Sequence, residues 1–159
     1  MAKIKRSQVQ TFLNVTPSGA ATYKLVGDGV TTGKVAYNPK STEETYIHED
    51  SARTTLDSYA PTLPIEQTAV VGDDVFDFVD ELRITRAVLS DAETDIVNVW
   101  MYEAGGPGAY PAEKQAVSIQ IDDFGGDGGQ AIKISYTINY LGDPVAGTFN
   151  AATSEFTES

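Results

Sequence analysis

Two stretches of this chain alternate between apolar and polar positions with a period of two. In "QAVSIQIDD" (115–123), Val117, Ile119 and Ile121 alternate with Ser118, Gln120 and Asp122. In "AIKISYTINYLG" (131–142), Ile132, Ile134, Tyr136, Ile138 and Tyr140 alternate with Lys133, Ser135, Thr137 and Asn139. Successive side chains of a strand point to opposite faces, so each stretch predicts a strand with one buried and one wet face. The glycine-rich "FGGDGGQ" between them predicts a tight turn. Residue types and bounding turns predict further strands at 10–16, at 22–30, on both sides of Asn38-Pro39-Lys40-Ser41 within 32–50, at 65–71, at 83–90 and, after a turn, within 91–104. Residues 105–114 read as a loop. Residues 50–64, with two prolines, several hydroxyls and no clean period, read as a long connection, a feature that is often functional. Residues 1–8 read as a basic arm, and the chain weakens into a tail or arm at 145–159.

One segment breaks the period. In "DDVFDFVDEL" (73–82), at about 100° per residue, Val75, Phe76, Phe78, Val79 and Leu82 share one arc, while Asp73, Asp74, Asp77, Asp80 and Glu81 share the other. This predicts a short amphipathic helix, N-capped by Asp73 or Asp74, with first-turn acids that suit its dipole. About eight strands and one helix predict a mainly β fold: a β-sandwich or barrel with a flanking helix at about 73–82 that lies on one face or closes one end. At 159 residues, a single domain spanning 1–159 is expected.

Charge narrows the function. The chain carries 23 acids against 11 bases, a formal net charge of −12, and so lacks the basic surface that grips nucleic acid. It has no cysteine, which removes disulfides and thiol chemistry and fits a reducing compartment. The start "MAKIKRSQVQTFL" lacks an apolar core, so no signal peptide is expected. No run approaches the roughly 18 apolar residues of a membrane-spanning helix, and no membrane insertion is expected.

Candidate chemistry is sparse. His48, in "TYIHED", is the chain's single histidine; beside acids it could serve as a base or ligand, but its plainer role is a strand-end residue. No second His or Cys exists to build a zinc site. There is no G-x-S-x-G elbow, P-loop or dinucleotide fingerprint. "DDFGGDGGQ" (122–130) offers Asp122, Asp123 and Asp127 as calcium ligands, but Lys133 stands where an EF-hand loop needs its bidentate Glu, and a hairpin turn is the expected role of the stretch. Asn14-Val15-Thr16 matches a glycosylation sequon without a secretory context. Neither catalytic residues nor a metal or other cofactor is expected, and the chain is not read as an enzyme.

The run "LPIEQTAVVGDDVFDFVDELRITRAVLSDAETDIVNVWMYE" (63–103) resembles the major tail tube proteins of long-tailed bacteriophages with non-contractile tails. The order carries the resemblance: a hydroxyl- and proline-rich loop, the acidic helix "DVFDFVDELR", then the strand–turn–strand "RITRAVLSDAETDIVNVWMYE". The upstream "TTGKVAYNPKSTEETYIHEDSARTTLDSYAP" is similar to the family's hairpin and loop region. The resemblance covers about two-thirds of the chain by extent of the quoted runs. It implies a subunit that closes into hexameric rings with a continuous inner β-barrel. The rings stack helically into a virion tail tube, assembled in the bacterial host cytoplasm, that delivers DNA. It also implies partners: further copies of itself, a tape measure protein in the lumen during assembly, and tail terminator and tail-tip proteins. Double-stranded DNA passes without specific binding. On this view 40–64 is an inter-ring loop, with Glu43, Glu44, Arg53 and Tyr59 as contacts.

The residues themselves agree in part. Ring closure pairs strand edges that are otherwise a liability, and a polar, acidic lining repels phosphate. Ser118, Gln120, Asp122, Ser135, Thr137 and Asn139 are the lumen-facing candidates, unless that face meets outer solvent. The alternatives are a tube protein of a contractile tail or a type VI secretion system, or a carbohydrate-binding or adhesion β-sandwich.

Overall fold

The computed structural model describes residues 1–103 and 105–159. Among them are nine strands and one α-helix: β1 Val9–Asn14, β2 Tyr23–Leu25, β3 Lys40–Glu44, β4 Arg53–Ser58, β5 Thr62–Thr68, α1 Asp74–Thr85, β6 Glu93–Trp100, β7 Tyr110–Gly125, β8 Lys133–Asn150 and β9 Glu155–Glu158. Seven strands form one sheet in the order β2-β1-β6-β7-β8-β5, with β9 paired to β8. Every pairing is antiparallel. The spine is the long β7–β8 hairpin, paired from Gly125↔Lys133 at its turn to Tyr110↔Phe149 at its far end. β6 lies on β7, β1 lies on β6 (Leu13↔Ile96, Val9↔Trp100), and β5 covers the first half of β8 (Thr62↔Asn139, Thr68↔Lys133). The two edges then approach each other. After β2 the chain crosses to β5, where Val30 bridges Gln67, and Ala36 and Thr62 exchange both backbone bonds at 2.8 Å. The sheet is thus a nearly closed barrel.

The alternation seen in the sequence sets the concave face. Leu13, Ile96, Val117, Ile119, Ile134, Tyr136, Ile138, Leu63 and Ile65 are buried there, and α1 lays Val75, Phe76 and Val79 on them. Burying side chains of this size stabilises by roughly 1.5–3 kcal/mol each. Phe78 and Leu82, on the same arc, pack half-buried at its margin.

Asp73 caps α1 by accepting from the Phe76 amide at 3.0 Å. The same carboxylate reaches a buried polar centre. Gln67 donates from Nε2 to Asp73 Oδ2 (2.8 Å) and to the Asp28 carbonyl (2.9 Å), and its Oε1 accepts the Tyr136 hydroxyl (3.2 Å). One amide therefore ties β5, the β2 crossover, the helix cap and β8 together, and each buried polar group has a partner.

Several expectations are corrected by the structure. The strand expected at 83–90 is instead the end of α1, which runs past Leu82 to Thr85, followed by a short 3-10 turn at Leu89–Ala92. The Thr85 hydroxyl bonds back to the Glu81 carbonyl and Arg83 pairs with Asp80, which holds the last turn; left-handed Arg86 (φ 48°) ends it. The connection expected at 50–64 instead holds β4 and the start of β5, and β4 pairs with β3 in a hairpin that is detached from the main sheet and exposed throughout. Its first strand begins at Lys40, so the stretch before Asn38-Pro39 contributes only the Ala36 bridge. The loop expected at 105–114 ends at Tyr110, where β7 starts. The strand expected to reach Ala104 ends at Trp100 as β6, and Ala104 itself lies outside the described residues.

The last correction concerns the C-terminal tail. Val145–Asn150 continue β8, and β9 folds back on them with Phe149↔Phe156 in register. Gly147 permits this approach, because a Cβ there would stand 2.2 Å from the Thr157 carbonyl oxygen. Phe149 is buried on the convex face with Phe12, Tyr23, Val97, Val99 and Ala112, its ring 4.5 Å from that of Phe12. A bulge at Gly142–Pro144 separates the halves of β8, and buried Gln115 satisfies it by donating to the Leu141 and Gly142 carbonyls at 2.9 and 2.6 Å.

Candidate functional site

The six lumen candidates fall together on the convex face of the β7–β8 ladder. Ser118 stands opposite Asn139 and Gln120 opposite Thr137; Asp123, after a shift that follows Ile121, stands opposite Ser135. Their neighbours Val117, Ile119, Ile134, Tyr136 and Ile138 point into the core. The polar chains form a chain of bonds. Thr137 Oγ1 donates to Asp122 Oδ2 (2.7 Å), Gln120 Nε2 donates to Asp122 Oδ1 (2.6 Å), and Asn139 Nδ2 donates to Gln120 Oε1 (3.5 Å). Asp122 thereby uses both oxygens as acceptors for neutral side chains. The strip continues onto β5, where Lys133 pairs with Glu66 at 3.0 Å, and onto β6, where Glu93 lies opposite Ser118. The result is a hydroxyl-, amide- and carboxylate-bearing surface, bounded on β8 by the part-exposed Leu141 opposite Ala116.

The inter-ring candidates sit elsewhere. Glu44 pairs in register with Arg53 on the β3–β4 hairpin, and Glu43 with Thr54. Arg53 also holds Glu49 near the tip and lies over the Tyr46 ring, 5.3 Å from its centroid. His48 stacks on Tyr46 and lies 3.1 Å from Glu49, exposed. Tyr59, at the hairpin's base, meets Tyr37 edge-on with centroids 6.1 Å apart. The structure does not bring these residues to the polar ladder.

The remaining chemical candidates acquire structural roles. Asn14 is buried; its Nδ2 donates to Asp95 and its Oδ1 accepts the Thr16 and Thr22 amides, which leaves the sequon's asparagine inside the fold. Asp122 serves the polar ladder, and among the described residues no group of three or more His, Cys, Asp or Glu could hold a metal ion. No helix among them is long and apolar enough to cross a membrane.

Two cavities were not foreseen. One, of about 600 Å³, lies between the end of α1, the Arg86–Leu89 turn and the stretch of β7 beyond the start of β6. The other, of about 940 Å³, opens at the far end of the concave face from α1, where Trp100, Tyr140, Glu113, Tyr37 and Tyr59 meet. The register explains the separation. The beginnings of β1 and β7 and the end of β6 line the second cavity; the opposite ends of those strands lie under the helix. The only tryptophan and the Glu113–Gln115 stretch were signals for it, hidden by reading 105–114 as a loop.

Burial pushes three tyrosines upward. Tyr23 rises through burial and then through Asp95, whose Oδ2 accepts its hydroxyl at 2.5 Å; Tyr136 rises through burial and nearby Asp73; Tyr140 rises chiefly through burial. Each phenol stays neutral in the fold and ionises freely in the unfolded chain. Raising the pH through the ordinary tyrosine range, near 10, therefore releases more protons from the unfolded chain, and stability falls. Alkaline denaturation followed by circular dichroism should show this loss beginning near that range, with Tyr23→Phe and Tyr140→Phe reducing its steepness. A stability that stays flat across it would contradict the assignment.

No protein-family model matches the chain, and no curated protein does. Solved structures share its fold. A chain from the tail of an empty GTA particle, refined with helical and six-fold (C6) symmetry, aligns over 89% of this chain and 97% of its own at 10% identity, with a TM-score of 0.63. The anti-feeding prophage tube-terminating cap aligns over 93% of both chains at 13% identity and a TM-score of 0.55. The sheath/tube terminator of an extracellular contractile injection system aligns over 92% and 97% at 8% identity and a TM-score of 0.54. At these identities the likeness establishes the fold: a mainly β, nearly closed barrel with one helix, of the kind found in tail-like particles.

Proposed function

We propose that the chain is a structural, tube-forming subunit of a tail-like particle, closing into six-membered rings that stack. The observation that carries this is the match of nearly the whole fold to a chain of a six-fold, helically arranged tail. The acidic chain and the convex polar ladder fit the role of a channel wall that passes a polyanion without holding it. Ser118, Gln120, Asp122, Ser135, Thr137 and Asn139 face the lumen in this proposal, and the β3–β4 hairpin reaches toward the next ring.

The resemblance in the sequence pointed to a non-contractile tail. The solved neighbours favour the alternative, a tube subunit of a contractile assembly, since one of them belongs to an injection system of that kind. Cap and terminator proteins are accordingly proposed partners, along with further copies of the chain; a tape measure protein and passing DNA follow from the tube role. The virion tail or an equivalent particle is the proposed location.

Electron microscopy of the purified protein across a concentration series tests the proposal. Hollow tubes of uniform width or six-fold rings are expected, and a reconstruction should place Asp122 on the channel wall. Small monodisperse particles at every concentration, persisting when a tail-tip complex is added as nucleus, would overturn the tube and favour an isolated binding β-sandwich.

A further inference from the structure

The turn after α1 is built in an unusual way. Arg86 (φ 48°) and Leu89 (φ 53°) both adopt the left-handed conformation, which side-chain-bearing residues rarely do and bulky ones least. Between and upon them, Val88 and Leu89 stand in solvent, Leu89 at 85% exposure. A strained backbone that holds a leucine out of the core asks for a partner surface. Arg86 is also exposed and, among the described residues, forms no ion pair, unlike Arg83, which is held by Asp80.

The cavity at the opposite end of the subunit has the complementary character. Its wall is aromatic: Trp100, Tyr140, and the edge-on pair Tyr37 and Tyr59. Glu113 lies in it, part-buried, and among the described residues forms no ion pair. The only arginine there, Arg6, spends its guanidinium on the Val9 and Gly33 carbonyls. Burial alone raises the Glu113 carboxyl above its usual range, as expected of an acid lacking its counter-charge.

We propose that the Arg86–Leu89 turn of one copy seats in the Trp100–Tyr140 cavity of a second copy, Leu89 and Val88 against the aromatic wall and Arg86 on Glu113. The proposal rests on the tube reading and supplies it with a specific contact between copies. Because knob and cavity lie at opposite ends of one subunit, the contact is heterologous and propagates from copy to copy. The strain at Leu89 presents the anchor in advance, so that little ordering is left for association.

The chain has no cysteine, which permits a clean test. Ser90→Cys, beside the knob, and Ser58→Cys, at the cavity rim, are both exposed positions outside the proposed contact; the two variants are mixed and treated with a short bis-maleimide. Cross-linked dimer should form in the mixture, at least about tenfold above either variant alone. Placing Arg86→Glu on the Ser90→Cys chain, or Glu113→Arg on the Ser58→Cys chain, should lower the yield by about tenfold, and placing both should restore it. Equal cross-linking by each variant with itself would overturn the proposal. So would a charge reversal that the paired reversal fails to rescue. Tubes seen by microscopy without the mixed cross-link would sink this contact and leave the tube reading intact. A mixed cross-link without tubes or rings would keep the contact and sink that reading.

Discussion

Phe149→Ala is expected to destabilise the dispersed subunit by about 3–5 kcal/mol. The ring is buried, 4.5 Å from Phe12 and edge-on to Tyr23 at 6.4 Å, and its strand is bonded on both sides by β7 and β9. Removing it opens a cavity that neither neighbour can fill, since Phe12 and Tyr23 are fixed on β1 and β2. Urea denaturation read by the Trp100 fluorescence reports the change. A midpoint unchanged from wild type would mean that Val145–Glu158 is a peripheral arm after all, independent of the core.

Gln67→Leu is expected to cost about 2–4 kcal/mol, because it strands several buried polar groups at once. The Tyr136 hydroxyl loses its acceptor, the Asp28 carbonyl loses its donor, and the Asp73 cap loses one of its two bonds on Oδ2. The decisive variant is the double one. With Tyr136→Phe added, one orphaned group disappears, and part of the loss should return even though a further hydrogen-bonding group is gone. A Gln67→Leu midpoint close to wild type, or a double variant that shows simple additive loss, would sink the network as a source of stability.

These two sites also mark where the sequence was informative. The strands at 115–123 and 131–142 and the helix at 73–82 could be read because each has one buried and one wet side, so the pattern reports the geometry directly. Gln67 gave no such sign. A polar residue in "IEQTAVV" looks like a wet position, and only the folded chain shows three partners converging on it. The β3–β4 hairpin was missed for the converse reason: every residue of both strands is exposed, so there is no apolar face for a period to reveal. The second half of β8 was lost at Gly142–Pro144, where the bulge resets the alternation, and beyond it Ala146, Gly147 and Thr148 part the only two large apolar residues left in β8, Val145 and Phe149.

The candidate site divides in the same way. The polar ladder followed from alternation alone, and the structure places all six residues on one face. The cavity near Trp100 could not be read, because its wall comes from positions scattered from Arg6 to Pro144 that only sheet closure brings together.

That closure sets the order in which the subunit can form. Thr11 of β1 bonds Asn98 of β6, 87 residues later in the chain, and β5 must wait for β8. Contacts between distant segments cost loop-closure entropy before they return any stability, so the adjacent strands of the β7–β8 hairpin are placed to form first and β1 to dock late. During synthesis β1 leaves the ribosome with β2 close behind but long before β6 exists. β5 stays without its partner until the last third of the chain brings β8, and a copy becomes competent to meet another only after its own translation is nearly complete.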